Sequence, residues 1–372
     1  MKKRFVLSLF FIFIIVLHTE CKSKSYKIEI ERGIKTIHNF KSVWKNKGKI
    51  KLKLSKKINF KKLSKRPWDF VLDKRGNKYV LTESLGNNLQ KYEIIKFDSN
   101  WKYIKKFEKK KEDLYEFIRP RGLIIDKNSN LYIIDDGSMM VYKFNPEGKY
   151  QGNIKITYSS DKGCILSTGE IILIGRSFYS KRYGILETKN PTMLVKINSK
   201  GKILKKFVKC KKYSNSDLLY LANEIDFDID EEDNIYVTFE HQNRIEKYTP
   251  EGKLLFSATR MLNYKVIHKI PDKKYFIEFP KLTFVSLDIS IDSKKRLWVT
   301  TFKKQPENQG TRASTLRDHK ILKFEIFNSE GILLGEIPVP VRFRKKRIYK
   351  TDLYLVDPYF EMSIYDYKIV SF

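Results

Sequence analysis

One short phrase recurs along this chain, and its recurrence restricts the fold more than any other feature. It reads Val141-Tyr142-Lys143-Phe144-Asn145-Pro146-Glu147-Gly148-Lys149 and returns as Leu194-Val195-Lys196-Ile197-Asn198-Ser199-Lys200-Gly201-Lys202. It appears again as Ile245-Glu246-Lys247-Tyr248-Thr249-Pro250-Glu251-Gly252-Lys253 and as Phe324-Glu325-Ile326-Phe327-Asn328-Ser329-Glu330-Gly331, with a looser copy at 95–102. Each copy alternates apolar and polar residues, breaks at a turn rich in Asn, Pro and Gly, and begins a second strand. A hairpin repeated this often builds an array of similar small sheets rather than one large sheet.

A second phrase precedes each hairpin. Trp68-Asp69-Phe70-Val71-Leu72-Asp73 leads into Asn77-Lys78-Tyr79-Val80, and Gly122-Leu123-Ile124-Ile125-Asp126 into Asn130-Leu131-Tyr132-Ile133. Asp226-Phe227-Asp228-Ile229-Asp230 leads into Asn234-Ile235-Tyr236-Val237, and Asp288-Ile289-Ser290-Ile291-Asp292 into Arg296-Leu297-Trp298-Val299. The third unit, around Cys164-Ile165-Leu166, has lost its turn Asp. One unit is therefore strand, tight turn, strand, loop, strand, tight turn, strand, which is a propeller blade.

The run from Gly122-Leu123-Ile124-Ile125-Asp126 through Asn130-Leu131-Tyr132-Ile133-Ile134-Asp135 to Val141-Tyr142-Lys143-Phe144 resembles the NHL repeat. The stretch from Ile34-Lys35-Thr36-Ile37-His38-Asn39 to Lys51-Leu52-Lys53-Leu54 resembles the leader of bacterial six-bladed propeller lipoproteins of that type. The likeness covers roughly residues 30–370 and implies a fold rather than an activity, because this fold hosts receptors, scaffolds and enzymes. The expected fold is all-β: a six-bladed β-propeller of four-stranded antiparallel blades, after an N-terminal signal segment. Five full units are followed by a partial one, since Leu353-Tyr354-Leu355-Val356-Asp357 repeats Leu131-Tyr132-Ile133-Ile134-Asp135 and the chain then ends one strand short. The segment 49–58 alternates Ile50, Leu52 and Leu54 with lysines and is expected to supply that strand, closing the ring and hiding its edges.

The expected divisions are a signal at 1–20, a leader at 21–48 and the propeller at 49–372. Met1-Lys2-Lys3-Arg4 is a charged start, and the apolar run of 13 residues at 5–17 suits a signal core rather than a membrane span. Cys21 stands where a lipoprotein is cleaved and acylated, although His18 and Glu20 depart from the usual lipobox. Acylation of Cys21 is the preferred reading over simple secretion or an uncleaved anchor, and it places the chain in the cell envelope, membrane-anchored.

The formal net charge is +32. It would draw polyanions or anionic lipid surfaces by a salt-dependent force. The excess is mostly Lys, spread along every strand and turn; no nucleic-acid motif accompanies it, and export argues against nucleic acid. The expected partner is an envelope protein or an anionic surface, met by a monomer. Cys164 and Cys210 fall on opposite sides of one blade, three strand spacings apart, and are expected to stay reduced.

His18, His38, His241, His268 and His319 show no metal spacing, and the sequence has no Gly-x-Ser-x-Gly elbow, no His-Glu-x-x-His and no phosphate-cradling loop. What remains is geometry. The first and third turns of each blade are short and share one face of the disc. The segments 175–191, 210–221, 257–284, 302–320 and 340–352 all fall on the other, which marks it as the binding face. Arg176, Arg182, Arg312, Arg317, Tyr179 and His319 are its candidate contact residues.

Asp69, Asp226 and Asp288 share one blade position, four before the turn Asp, with Gly122 as the exception; Arg66 and Arg119 precede the first two such positions by three. These residues are expected at the mouth of the central channel. Three carboxylates there can hold calcium, as in calcium-dependent propeller lactonases, or can accept backbone hydrogen bonds and pair with arginines, which is the preferred reading. Two function classes follow: a non-catalytic, envelope-anchored binding or scaffold protein, which is favoured, and an enzyme of the lactonase or lyase type with a metal at the channel mouth.

Overall fold

The computed structural model describes residues 25–44, 49–86, 91–107, 115–175, 191–269, 281–306 and 318–371. The chain opens with β1 (Tyr26–Glu31), β2 (Ile34–Asn39) and β3 (Ile50–Asn59). Blade one is β4 (Lys65–Leu72), β5 (Lys78–Ser84), β6 (Tyr92–Phe97) and β7 (Tyr103–Lys106); blade two is β8 (Pro120–Ile125), β9 (Leu131–Asp135), β10 (Met140–Phe144) and β11 (Tyr150–Lys155). Blade three is β12 (Gly163–Ile165), β13 (Ile171–Ile174), β14 (Thr192–Ile197) and β15 (Ile203–Lys209). After a short helix α1 (Ser216–Leu221), blade four is β16 (Ile225–Ile229), β17 (Ile235–Phe239), β18 (Ile245–Tyr248) and β19 (Leu254–Arg260). A small hairpin, β20 (His268–Lys269) with β21 (Lys281–Leu282), leads to blade five: β22 (Ser286–Ile291), β23 (Leu297–Phe302), β24 (Leu322–Phe327) and β25 (Leu333–Pro338). Blade six is β26 (Lys345–Tyr349), β27 (Asp352–Asp357), β28 (Ser363–Ser371) and, from the other end of the chain, β3.

The closure follows the sequence reading. β3 runs antiparallel to β28 from Ser363↔Asn59 to Ser371↔Ile50. The first strands of the blades touch around the ring, β4 with β8, β8 with β12, β16 with β22, β22 with β26 and β26 with β4. These are the innermost strands. The core is divided among the six seams between blades, each with its own apolar cluster. At the closing seam, Phe70, Val80 and Trp101 of blade one pack on Tyr354, Val356 and Ile364 of blade six.

The recurring phrases have local causes. The turn carboxylates Asp73, Asp126 and Asp230 each accept backbone N–H groups two and four residues on, and then the hydroxyl of a tyrosine six residues on. Asp292 does the same with the indole of Trp298. Such a side chain fixes the turn as an Asx motif. Blade three has Leu166 there, and blade four supplies the replacement: Asp233 reaches back to the N–H of Ser167 at 2.9 Å and its hydroxyl at 2.5 Å. In the outer hairpins, Gly148, Gly201, Gly252 and Gly331 hold φ between 76° and 82°. A side chain at Gly148, Gly252 or Gly331 would meet Phe107, Phe207 or Phe256 of the preceding blade.

Two elements differ from the sequence reading. The segment 340–352, expected as an inserted loop, contains β26. Its Lys345-Lys346-Arg347 lacks apolar alternation, and its turn to β27 is too short for the Asp-x-x-Gly-Asn signature, so nothing marked it as a strand. The leader also forms structure: β2 pairs parallel to β19, and β1 covers β2, extending blade four to six strands. Beyond β2 the chain straps blade five. Val43 and Trp44 donate to the carbonyls of Leu333 and Leu334, and the Trp44 ring fills the space left by Gly335, where a Cβ would lie 2.3 Å away. Buried Asn39 ties the two blades together, donating to Thr259 and Gly331 and accepting from Leu333.

Candidate functional site

Each innermost strand has one edge facing the channel, so its N–H groups there need partners from outside the ladder. Asp69 supplies one, accepting the N–H of Leu123 on the next blade at 3.1 Å. Asp226 and Asp228 do the same for Ile289 and Ile291, at 3.0 and 3.1 Å. Gly122 is the exception because the chain entering blade three crosses it: a Cβ there would lie 2.9 Å from the carbonyl of Asp161.

The carboxylates also meet cations from blades three and six. Asp69, fully buried, lies 3.1 Å from Lys345 and 3.0 Å from Arg347. Asp226 lies 2.8 Å from Lys162, and Asp288 lies 2.6 Å from Lys346, whose ammonium also donates to the carbonyl of Trp298. Burial alone would raise the pKa of Asp69, but Arg347 and Lys345 overcome it and hold the carboxyl below the usual carboxylate range. Burial would lower Lys162, and Asp226 beside it raises it instead. Asp228 goes the other way, pushed up by burial.

Four acids thus face four bases across the inner strands. A cavity of about 60 Å³ remains between them, lined by Asp161, Lys162, Asp226, Asp288, Arg344 and Lys346. That is room for a few waters and is far below the roughly 300–1,000 Å³ of small-molecule sites. Each of Asp69, Asp226 and Asp288 faces an ammonium or guanidinium.

Arg66 and Arg119 do not join this ring. Arg66 pairs with Glu83 of its own blade at 3.1 Å, and Arg119 with Asp136 at 2.7 Å. The cations that do join, Lys162, Lys345, Lys346 and Arg347, escaped the sequence reading. Lys162 was legible: it stands four before Leu166, the place Asp69 holds before Asp73.

The inner strands run from the face carrying the long connections to the face carrying the tight turns. β13 and β23 end, and β14 and β24 begin, at the first of these faces. Arg176, Tyr179, Arg182, Arg312 and Arg317 lie outside the described residues, as does Cys21. His319 is half-buried in a 3-10 turn ahead of β24, and burial lowers its pKa. Cys164, buried in β12, and Cys210, beyond β15, are not joined to each other. Among the described residues no helix is long and apolar enough to cross a membrane. At the same face, blade four brings together Glu224, Glu240 and His241 with ligand atoms within 4.8 Å of one another. No histidine spacing announced them.

No known family's sequence pattern matches the chain, and no curated protein is similar to it in sequence. Solved structures are similar in fold. A member of the DUF4221 family from Bacteroides vulgatus is 12% identical, covering 87% of this chain and 99% of its own, with a TM-score of 0.53. A Bacteroides fragilis NCTC 9343 protein named for export is 10% identical over 91% of this chain and 99% of its own, with a TM-score of 0.54. Virginiamycin B lyase from Staphylococcus aureus is 11% identical over 86% of this chain and 100% of its own, at a TM-score of 0.46. Likeness at these identities is one of fold.

Proposed function

We propose that the chain is a non-catalytic binding propeller of the NHL type, anchored in the cell envelope through an acylated Cys21, and that it engages a protein partner through the face carrying the long connections. One observation carries this reading. The inner strands carry paired charges of the chain's own making, around a cavity of only about 60 Å³. The long connections meanwhile all leave the opposite ends of the strands from the uniform tight turns. Fold likeness to the Bacteroides fragilis protein named for export supports the location. The Arg and Tyr content of 176–190 and 307–317 supports the recognition role.

The test is capture of a partner from intact envelope by cross-linking, with the captured protein identified by mass spectrometry. Replacing Arg176, Tyr179, Arg312 and Arg317 with Ala should abolish capture. The melting temperature of the variant, measured alongside, should barely move if these residues serve recognition and not the core. Capture that survives these changes but fails when the turn residues Lys74, Asn128 and Lys294 are altered would assign the partner to the other face.

A further inference from the structure

We infer that Glu224, Glu240 and His241 form a site for one divalent first-row transition-metal ion, of the zinc or manganese class, at the end of blade four that carries the long connections. The inference is independent of the partner-binding reading.

The pairing of β16 with β17 makes the site. One step beyond the Ile225↔Phe239 pair, the N–H of Glu240 donates to the carbonyl of Glu224 at 2.8 Å, which sets the two side chains beside each other. His241 follows at once. The three ligand atoms lie within 4.8 Å of one another, and Glu240 and His241 are only 5% and 3% exposed.

The imidazole is set up as a ligand. Its Nδ1 faces the carbonyl of Thr283 at 3.0 Å, so Nδ1 carries the proton and donates. In that neutral tautomer the ring lone pair is on Nε2, the atom a metal ion would take. A ring nitrogen donating to a backbone carbonyl is the usual support of a metal-bound histidine, fixing its tautomer and orientation. The next layer is equally built. His268 donates from Nε2 to the carbonyl of His241 at 2.6 Å, while its Nδ1 accepts the hydroxyl of Tyr213 at 2.7 Å. Gln242 donates to Ala222 and to the side chain of Asn223, and the N–H of Val285 donates to the carbonyl of Glu240. Residues 240–242 are thereby fastened to α1's exit, to β20 and to the approach to β22 before any ion arrives.

The donor set selects the metal. Calcium and magnesium take oxygen ligands, whereas one imidazole with two carboxylates suits zinc or manganese. Two carboxylates and a neutral imidazole balance a dication. Three protein ligands leave a fourth position for water or a bound group.

The experiment uses the full chain stripped with EDTA and titrated with Zn2+, Mn2+, Ca2+ and the spectroscopic probe Co2+. Expected are one saturable equivalent of Zn2+ or Mn2+, a rise in melting temperature with it, and visible Co2+ bands of a nitrogen–oxygen site. His241→Ala should weaken binding by more than about 100-fold, and Tyr213→Phe, which touches no ligand, by about 10-fold. Glu224→Gln, at the more exposed ligand, serves if His241→Ala fails to fold. Absence of one-equivalent binding, a response to Ca2+ alone, or an affinity unchanged in both His241→Ala and Glu224→Gln would overturn the assignment.

Discussion

The carboxylate of Asp69 on blade one stands 3.0 Å from the guanidinium of Arg347 on blade six. The ring is therefore fastened twice at its closing seam. At the rim, β3 completes the sheet of blade six; at the channel, an ion pair joins that blade to the first one synthesised whole. Removing the acid strands two cations. Asp69→Ala should destabilise the fold by about 3–5 kcal/mol, the usual cost of breaking a buried pair from one side. Urea denaturation reads this directly, and a loss below about 1 kcal/mol would mean that water reaches Lys345 and Arg347 freely.

Acid should loosen the same seams. Asp69 is held below its ordinary range by Arg347 and Lys345 against the opposing effect of burial, and Glu325 by Arg260 and Lys323 in the same way. Glu325 and Arg260 are 1% and 0% exposed and join blades five and four at 2.6 Å. A carboxyl whose folded pKa is depressed contributes stability above its unfolded value of about 4 and loses it as pH falls further. Stability should thus be flat above about pH 5 with respect to these two groups and should fall below about pH 4. Asp69→Asn should flatten that fall. An unchanged slope in the variant would remove Asp69 from the account.

Asp233 should matter beyond its own blade. Its carboxylate replaces the missing turn acid of blade three by holding Ser167. Asp233→Ala should cost about 1.5–3 kcal/mol, as hydrogen bonds to charged groups do. Hydrogen exchange should quicken at the turn 166–170. Faster exchange confined to blade four would refute the cross-blade role.

The leader strap makes a further prediction. Trp44→Ala empties the space above Gly335 and should cost about 1.5–3 kcal/mol. Limited proteolysis should then cut ahead of β3 while the blades stay intact.

Anchoring is open to a simple fractionation. With Cys21 acylated, Cys21→Ala should move the protein to the soluble fraction and remove fatty-acid label. Retention at the membrane would point to the uncleaved apolar run 5–17.

The blades were legible in the sequence because their turns are chemical: Asp73, Asp126, Asp230 and Asp292 write the tight turn in side-chain hydrogen bonds, and Gly148, Gly201, Gly252 and Gly331 in positive φ. β26 was not, because its Lys345-Lys346-Arg347 earns its place by pairing with acids from blades one and five, and no window of sequence contains both halves of those pairs. The acids at the channel mouth were readable as a shared position; their partners were not. Glu224 and His241 lie 17 positions apart and meet only through the pairing of β16 with β17, so spacing rules for metal ligands pass over them.

The strap on blade four decides where the molecule can be held. Tyr26 starts the outermost strand there and pairs with Asn39, which lies beside Arg260 at the end of β19, the end from which the long connections depart. A leash from an acylated Cys21 to Ser25 reaches at most about 14 Å, four steps of roughly 3.5 Å. A lipid-tethered disc would then be hung by one corner, its blade-four edge kept near the bilayer and blade one tilted farthest away. The ends of β13 and β14 on one side, and of β23 and β24 on the other, belong to the blades flanking the fourth and would be brought toward the same membrane.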